Sequence, residues 1–201
     1  MFHSGHDYRR FLAILASIKM AMQADIRLHG YCVMPNHWHL IICPRTTQAL
    51  SQFMQRLTRA HALAYLADHP ERSGAIYQGR YRCCPVQHGY HLTNVLLYVD
   101  RNPLKARLVT KAEDWLWSSM IGHAGLVDDP LLDPLTADFS DWCARVNGSD
   151  ETDTLAERAL KRNEPLGESA WISSLPGEWR RRVGRPPKRS STGVNRENST
   201  G

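Results

Sequence analysis

The sequence lacks the marks of a secreted protein, a zinc ribbon or a membrane protein. Its five cysteines form no CxxC pair, and an odd number without framework spacing is typical of free thiols in a reducing compartment. The longest apolar runs, FLAILA and HLIIC, are far too short to cross a bilayer. No basic flank followed by a long apolar segment marks a secretion signal. These absences favour a cytoplasmic protein with no membrane partner.

The excess of positive charge is concentrated in one short segment. Residues 180–189, RRRVGRPPKR, hold six of the 25 basic residues and no acidic residue, whereas the rest of the chain holds 19 basic and 20 acidic residues. Basic tails generally bind nucleic acid or anionic surfaces, so this segment, which includes Arg185, predicts a contact with DNA or RNA. The residues from 184 onward are rich in Gly, Pro, Ser and Asn, which predicts disorder.

Hydrophobic spacing predicts the order helix, strand, strand, helix, strand, helix. A helix over 7–24 precedes the strands IRLHGYCVM and HWHLIIC, which the turn pair Pro35-Asn36 joins as an antiparallel hairpin. A helix capped by Thr46 or Thr47 follows, and AIYQGRYRCCPV is the next predicted strand. The helix GYHLTNVLLYVDRN should end before Pro103.

This order predicts an α+β fold. It is that of a ferredoxin-like plait with an antiparallel sheet, helices on one face and no opening strand. We expect this domain to cover residues 1–120, a helical extension to cover 121–183, and a disordered basic tail to cover 184–201.

Two histidines lie one residue apart in the second predicted strand. Alternate side chains of a strand share a face, so His37 and His39 point away from the apolar residues between and after them, which can pack against helices. Two adjacent neutral imidazoles can hold one cation and suit manganese or zinc better than magnesium. The alternative is a solvated strand face with two polar residues. A metal site also needs a third ligand from another element.

The last predicted helix carries a tyrosine on a polar face. Tyr98 and Asn102 are one turn apart and off the predicted core stripe, and Arg101 and Lys105 add positive charge nearby. A tyrosine hydroxyl, with an ordinary pKa of about 10, must be activated before it attacks a phosphodiester. A bound cation can polarise the phosphate, and Asn102 could supply its third ligand. The alternative is a half-buried tyrosine on an ordinary amphipathic helix.

Four blocks in this order carry a family resemblance: YCVMPNHWHLIICP, YQGRYRCCPVQ, VLLYVDRNPLKARLV and AEDWLWSS. Together they resemble the REP-associated tyrosine transposases, a branch of the single-tyrosine transposases in the HUH nuclease superfamily. The resemblance covers about residues 1–120. It implies that His37 and His39 bind a divalent ion, Mg²⁺ or Mn²⁺, with Asn102 as third ligand, and that Tyr98 is the nucleophile.

The resemblance also implies a reaction and a substrate. In that family the tyrosine attacks single-stranded DNA at palindromic repeat hairpins, which leaves a 5′-phosphotyrosine link and a free 3′-OH. The covalent link conserves the energy of the broken bond, so rejoining needs no ATP. The basic residues within and beyond the matching blocks are the predicted DNA contacts: Arg80, Arg101, Lys105 and Arg185.

The N-terminus departs from the family pattern. Family members usually begin with an extra strand beside the one that holds the histidines, whereas MFHSGHDYRRFL starts almost at the first helix. Without that strand, HWHLIIC is expected to be an exposed apolar edge. In the tail, GRPPKR resembles an AT-hook core, and its alternative is a basic tail that binds phosphates without sequence preference.

The sequence is compatible with three functions. The first is a tyrosine nuclease and ligase of the transposase type. The second is a non-catalytic protein that binds repeat hairpins, and the third is a metalloprotein in which the histidines only stabilise the fold. The chain is compatible with either a monomer or a homodimer.

Overall fold

The computed structural model describes residues 1–148 and 153–180. The tail predicted from 184 onward, including Arg185 and the AT-hook-like GRPPKR, lies outside the described residues. None of the helices in the described ranges is long and apolar enough to span a bilayer. The elements, in chain order, are α1 (Gly5–Ala21), β1 (Ile26–Val33), β2 (Trp38–Pro44), α2 (Thr47–Asp68), α3 (Tyr90–Lys105), a 3-10 turn (Ala112–Asp114), α4 (Met120–His123), α5 (Trp142–Asn147), α6 (Asp153–Arg162), α7 (Ser169–Ser174) and α8 (Gly177–Arg180).

The predicted hairpin forms the sheet. β1 and β2 pair antiparallel from Ile26 opposite Pro44 to Val33 opposite Trp38, with a bulge between Leu28 and Gly30. The tight turn between them is closed by a 2.8 Å hydrogen bond from the Met34 N–H to the His37 carbonyl. A mixed α+β fold with a two-stranded antiparallel sheet confirms the predicted class, a ferredoxin-like plait that lacks a strand.

The two faces of the hairpin carry different helices. Trp38, Leu40 and Ile42 pack against the core formed with α1 and α2, as the alternation predicts. Ile41 packs on the opposite face, against the core formed with α3. The prediction of helices on one face therefore needs correction, because α3 covers the second face. Gly30 permits this close packing, since a Cβ there would lie 3.1 Å from side-chain atoms of both Ile41 and Leu96.

The two outer edges of the hairpin differ. The outer edge of β1 is covered, because Val33 donates to the Trp117 carbonyl at 2.8 Å and Ser119 donates to the Tyr31 carbonyl at 2.9 Å. Residues 38–44 make no backbone hydrogen bond outside the hairpin to any described residue. Their side chains are nevertheless mostly half-buried, because the strand forms one wall of a cavity.

The predicted third strand, AIYQGRYRCCPV, is wrong. Residues 75–86 are irregular apart from one isolated bridge, in which Val86 pairs with Leu166. Backbone bonds from this region go to the C-terminal extension instead: Gln87 donates to the Leu166 carbonyl at 2.9 Å, and Leu166 donates to the Pro85 carbonyl at 2.8 Å. The aromatic residue Tyr77 anchors this segment to the core instead. Its hydroxyl lies 2.6 Å from His61 Nδ1 and accepts a hydrogen bond from Trp38 Nε1 at 3.2 Å.

The last predicted helix continues past the proline. α3 ends at Lys105 and contains Pro103, whereas the sequence predicted an end at Asn102. Pro103 has no N–H with which to reach the carbonyl of residue 99. The Asn102 amide nitrogen lies 2.8 Å from the Tyr98 carbonyl and 3.4 Å from the Val99 carbonyl, and so donates where the proline does not. The side chain of Asn102 therefore supports the helix at this point.

A buried ion pair anchors the middle of α3. Asp100 is fully buried, and its carboxylate lies 2.7 Å from His123 Nδ1, 2.9 Å from Trp142 Nε1 and 3.0 Å from Ser119 Oγ. His123 Nε2 lies 2.8 Å from the His29 carbonyl, so both ring nitrogens face acceptors and both must carry a proton. Burial alone would lower the pKa of His123, but the Asp100 carboxylate and the hydrogen bonds outweigh it and raise that pKa.

Removing His123 should therefore destabilise the protein in a pH-dependent way. His123→Ala leaves the Asp100 charge buried without its partner, and we expect a loss of about 3–5 kcal/mol in the free energy of unfolding at pH 6. Because the pKa of His123 is raised in the folded protein, its protonated ring stabilises the fold fully below the ordinary histidine pKa of about 6.5. This contribution to the free energy of unfolding is lost as the pH rises through the folded-state pKa. Urea unfolding at pH 6 and pH 9 should show a smaller loss at pH 9. The exposed His88→Ala is the control, and an equal loss at both pH values would contradict the charged pair.

Candidate functional site

The paired histidines face each other at the start of β2. His37 Nε2 and His39 Nε2 are 3.2 Å apart, with the rings nearly perpendicular at 87°. His37 is exposed and its Nδ1 lies 2.7 Å from the Asn36 side-chain oxygen, so Nδ1 carries the proton and Nε2 keeps its lone pair. Burial, with a smaller effect of the neighbouring His37, lowers the pKa of His39 to about 4. Desolvation lowers the pKa of His37 as well, so both imidazoles are neutral at neutral pH.

This donor pair fits a divalent cation. A metal with nitrogen ligands at about 2.0–2.1 Å places two of them about 2.8–3.4 Å apart, for angles between octahedral and tetrahedral. The 3.2 Å between the two Nε2 atoms falls in that range. The bond from His37 Nδ1 to Asn36 is the kind of outer contact that fixes the orientation of a ligating histidine. No group of three His, Cys, Asp or Glu side chains that could hold an ion occurs among the described residues, so a further ligand would have to be another residue type.

Tyr98 lies beside this pair. The ring of Tyr98 meets the ring of His39 edge to face, with centroids 5.9 Å apart and an interplanar angle of 80°. Tyr98 is only 8% exposed and belongs to the core formed with α3, so the prediction that it stands off the core needs correction. The reason is that α6 packs over the polar face of α3 and contributes Ala156 to the same core.

Asn102 lies one turn after Tyr98 and is buried. Because its amide nitrogen donates to the α3 backbone, its side-chain oxygen is the atom with which it could bind a cation. The chain thus places a histidine pair at β2 and a tyrosine and an amide oxygen on α3, and the two elements meet where the Tyr98 ring contacts the His39 ring. That combination suits attack on a phosphodiester.

Residues 2–102 match the family model described as "Transposase IS200 like". The match covers half of the chain and includes β1, β2, α2 and α3 up to Asn102. The protein belongs to the IS200-like transposase family. Its family indicates a DNA-processing enzyme of the transposase type with DNA as its partner. No curated protein and no solved structure matches the chain significantly.

A cavity of about 940 Å³ joins the site of this transposase to its C-terminal extension. β2 with the histidine pair forms one wall, residues 77–86 another, and Tyr98 lies at the border with α6. The extension contributes Glu157 and Lys161 from α6 and two aromatic side chains further on, Trp171 and Trp179. The site is therefore not confined to the residues that the family model matches.

The basic residues predicted to contact DNA occupy different positions in the transposase. Arg80 is exposed and lines the cavity, whereas Arg185 is outside the described residues. The prediction for Arg101 needs correction: it is 5% exposed, and its guanidinium donates to the carbonyls of Val146 at 2.7 Å and Arg145 at 2.6 Å. Arg101 thus links α3 to α5. The residues next to Arg101 along the helix carry no sign of its contact with α5, so its burial could not be predicted from them.

Lys105 lies at the site but has protein partners. Its ammonium is 5.0 Å from the centre of the Tyr98 ring and 2.9 Å from Glu157 Oε2. Glu157 is not among the site residues predicted from the sequence. The spacing of Glu157 and Lys161 is that of an ion pair on one helix face, which the sequence does reveal. Nothing in that spacing indicates that the pair lies next to a tyrosine 59 positions earlier in the chain.

Proposed function

We propose that this transposase cleaves and rejoins single-stranded DNA at palindromic repeat hairpins through a 5′-phosphotyrosine intermediate at Tyr98. The observation that supports this most directly is the contact between the Tyr98 ring and His39, whose partner His37 is 3.2 Å away between the Nε2 atoms. The proposed nucleophile and the proposed cation-binding pair thus border one cavity. We further propose that the protein belongs to the REP-associated branch and acts on cytoplasmic, nucleoid-bound DNA.

The proposed reaction is a transesterification. The Tyr98 hydroxyl oxygen forms a bond to phosphorus and loses its proton, while the bond between phosphorus and the 3′ oxygen breaks. That oxygen takes up a proton and leaves as a free 3′-OH, and the 5′-phosphate stays on Tyr98. Attack by a 3′-OH on the phosphotyrosine reverses these changes and rejoins the strand, without an external source of energy.

The protein's own residues prepare the phosphate and the nucleophile. His37, His39 and the Asn102 side-chain oxygen would hold the Mg²⁺ or Mn²⁺ ion, which when bound polarises the scissile phosphate. Tyr98 packs in a core to which α6 contributes Ala156, which limits its rotamers, and its side chain lines the same cavity as His39. Arg80, exposed at the cavity, is placed to contact the DNA backbone.

The function is tested by trapping the covalent product. Protein incubated with single-stranded repeat hairpins from its own genome and Mn²⁺ or Mg²⁺ should yield a DNA adduct on a tryptic peptide that contains Tyr98, detected by mass spectrometry. Hairpins that bind without forming an adduct would show that the protein is a non-catalytic hairpin-binding module. Metal-dependent melting without DNA affinity would show that the histidines serve the fold alone.

Deleting the basic tail should weaken DNA binding mainly through electrostatics. Removing residues 180–201 takes away all six basic residues of the charged segment and Arg196. Each phosphate contact to single-stranded DNA contributes about 0.7 to the slope of log affinity against log salt, so the slope should flatten by up to about 5. Affinity measured by fluorescence anisotropy between about 50 and 200 mM salt checks this. An unchanged slope would mean that the tail does not touch DNA.

A further inference from the structure

Helix α6 brings an acidic residue to the site from outside the matched family region. Ala156 and Ala159 are 1% and 6% exposed and pack α6 against α3. Their small side chains let the two helices approach closely, and Glu157 then lies at the cavity together with Lys161. Glu157 therefore meets the last turn of α3, where Lys105 lies.

One carboxylate connects two lysines at this point. Glu157 Oε2 is 2.9 Å from Lys105 Nζ, and Glu157 Oε1 is 2.6 Å from Lys161 Nζ. Lys105 Nζ is at the same time 5.0 Å from the centre of the Tyr98 ring. The side chains of Lys105 and Glu157 are 35% and 33% exposed, so this cluster lies at the border between solvent and the buried tyrosine.

Stability alone explains this cluster poorly. Partly exposed ion pairs contribute about 0–1 kcal/mol, because solvent screens them and two long side chains lose freedom. Hydrogen bonds from Lys161 and Lys105 lower the pKa of Glu157 to about 2, so the carboxylate is ionised at neutral pH. Two ammonium groups thus flank one carboxylate beside Tyr98, which brings positive charge close to the place where a phosphodiester would bind.

We propose that Glu157 is a positioning residue: it holds Lys105 over Tyr98, so that the Lys105 ammonium contacts the phosphate that Tyr98 attacks. This inference rests on the proposed function. Without the carboxylate, Lys105 loses its 2.9 Å contact with Glu157 and is repelled by Lys161, which favours rotamers away from the tyrosine. Glu157 therefore acts through Lys105, and the C-terminal extension is part of the active site.

The test is a double-mutant cycle on adduct formation. The assay uses single-stranded hairpin DNA and Mn²⁺ with four full-length proteins: the wild type, Glu157→Gln, Lys105→Gln and the double variant. For each protein, the rate of adduct formation at saturating DNA and the half-saturating DNA concentration are measured separately. The controls are Asp128→Asn and Lys111→Gln, which make the same charge changes at exposed positions away from the cavity. Thermal melting verifies that every variant is folded.

We expect Lys105→Gln to slow adduct formation about tenfold to 100-fold, the range for loss of a charged hydrogen bond. Glu157→Gln should slow it about fivefold to 20-fold while DNA affinity stays equal or increases, because a negative charge is removed from the cavity. In the Lys105→Gln background, Glu157→Gln should have no further effect on the rate.

Three results would overturn the inference. The first is a Glu157→Gln variant with the wild-type rate, and the second is an equal loss from Glu157→Gln in both backgrounds. The third is a loss of rate together with an equal loss of affinity, which would mark Glu157 as a structural residue. If the wild type and both controls form no adduct, the proposed function fails and this inference fails with it. An adduct on Tyr98 in the wild type, with any of the first three results, overturns this inference alone.

Discussion

Tyr98→Phe is expected to abolish the covalent protein–DNA adduct while leaving the protein folded. The substitution removes only the hydroxyl, which is the proposed nucleophile, and no other atom of the side chain can form the ester to phosphorus. The ring contact with His39 at 5.9 Å and the packing in the α3 core do not need the hydroxyl. We expect a stability cost of about 1 kcal/mol, the usual contribution of one hydrogen bond. Denaturing gel electrophoresis with labelled hairpin DNA and Mn²⁺ measures the adduct.

The matched control for this variant is Tyr90→Phe. Tyr90 begins the same helix but is 65% exposed, so its hydroxyl should affect neither the fold nor the adduct. Affinity for the uncleaved hairpin should be equal in both variants and the wild type, because phosphate contacts from basic residues supply most of it. A 5′-linked adduct formed by Tyr98→Phe would disprove the assignment of the nucleophile. The neighbouring Tyr77 and Tyr81 would then be the next candidates.

The hairpin could be predicted from the sequence because local rules govern it. Trp38, Leu40 and Ile42 share one face of the strand, and only one register buries all three against α1 and α2. The start of α2 is equally local, since the Thr46 hydroxyl accepts from the Ala49 N–H at 3.0 Å. The same two-residue period of the strand places the side chains of His37 and His39 on one face, so their proximity could also be predicted.

Contacts between distant segments explain what the sequence did not reveal. Residues 75–86 have the composition of a strand, but their backbone finds partners in the extension around Leu166 and none in β2. Tyr98 and Arg101 have polar neighbours along α3, yet α6 and α5 cover them. Pro103 normally ends a helix, and here the Asn102 side chain supplies the missing donor. Each of these outcomes depends on a partner that periodicity within one segment does not identify.

The second large effect is expected at the histidine pair. Replacing His37 and His39 together by alanine removes both imidazole donors and should reduce Mn²⁺- or Mg²⁺-dependent cleavage at least about 100-fold. This magnitude follows because a bound cation contributes several kcal/mol to the stabilisation of a transition state with developing charge, and about 1.4 kcal/mol corresponds to tenfold in rate. Both side chains border the cavity, and His37 is exposed, so the fold should survive the change.

Binding measurements distinguish loss of the metal ion from loss of the DNA-binding site. The double alanine variant should bind hairpin DNA nearly as well as the wild type, but Mn²⁺ binding measured by isothermal titration calorimetry should disappear. The control is His88→Ala, an exposed histidine at the same cavity, which should keep both properties. Full cation-dependent cleavage by the double variant would exclude the pair as the metal site.

The pH dependence of metal binding gives a further test of the pair. The pKa of His39 is about 4, so His39 stays neutral between pH 8 and about 6, and protons should not displace the cation from it over that range. The Mn²⁺ affinity should therefore fall little when the pH is lowered from 8 to about 6.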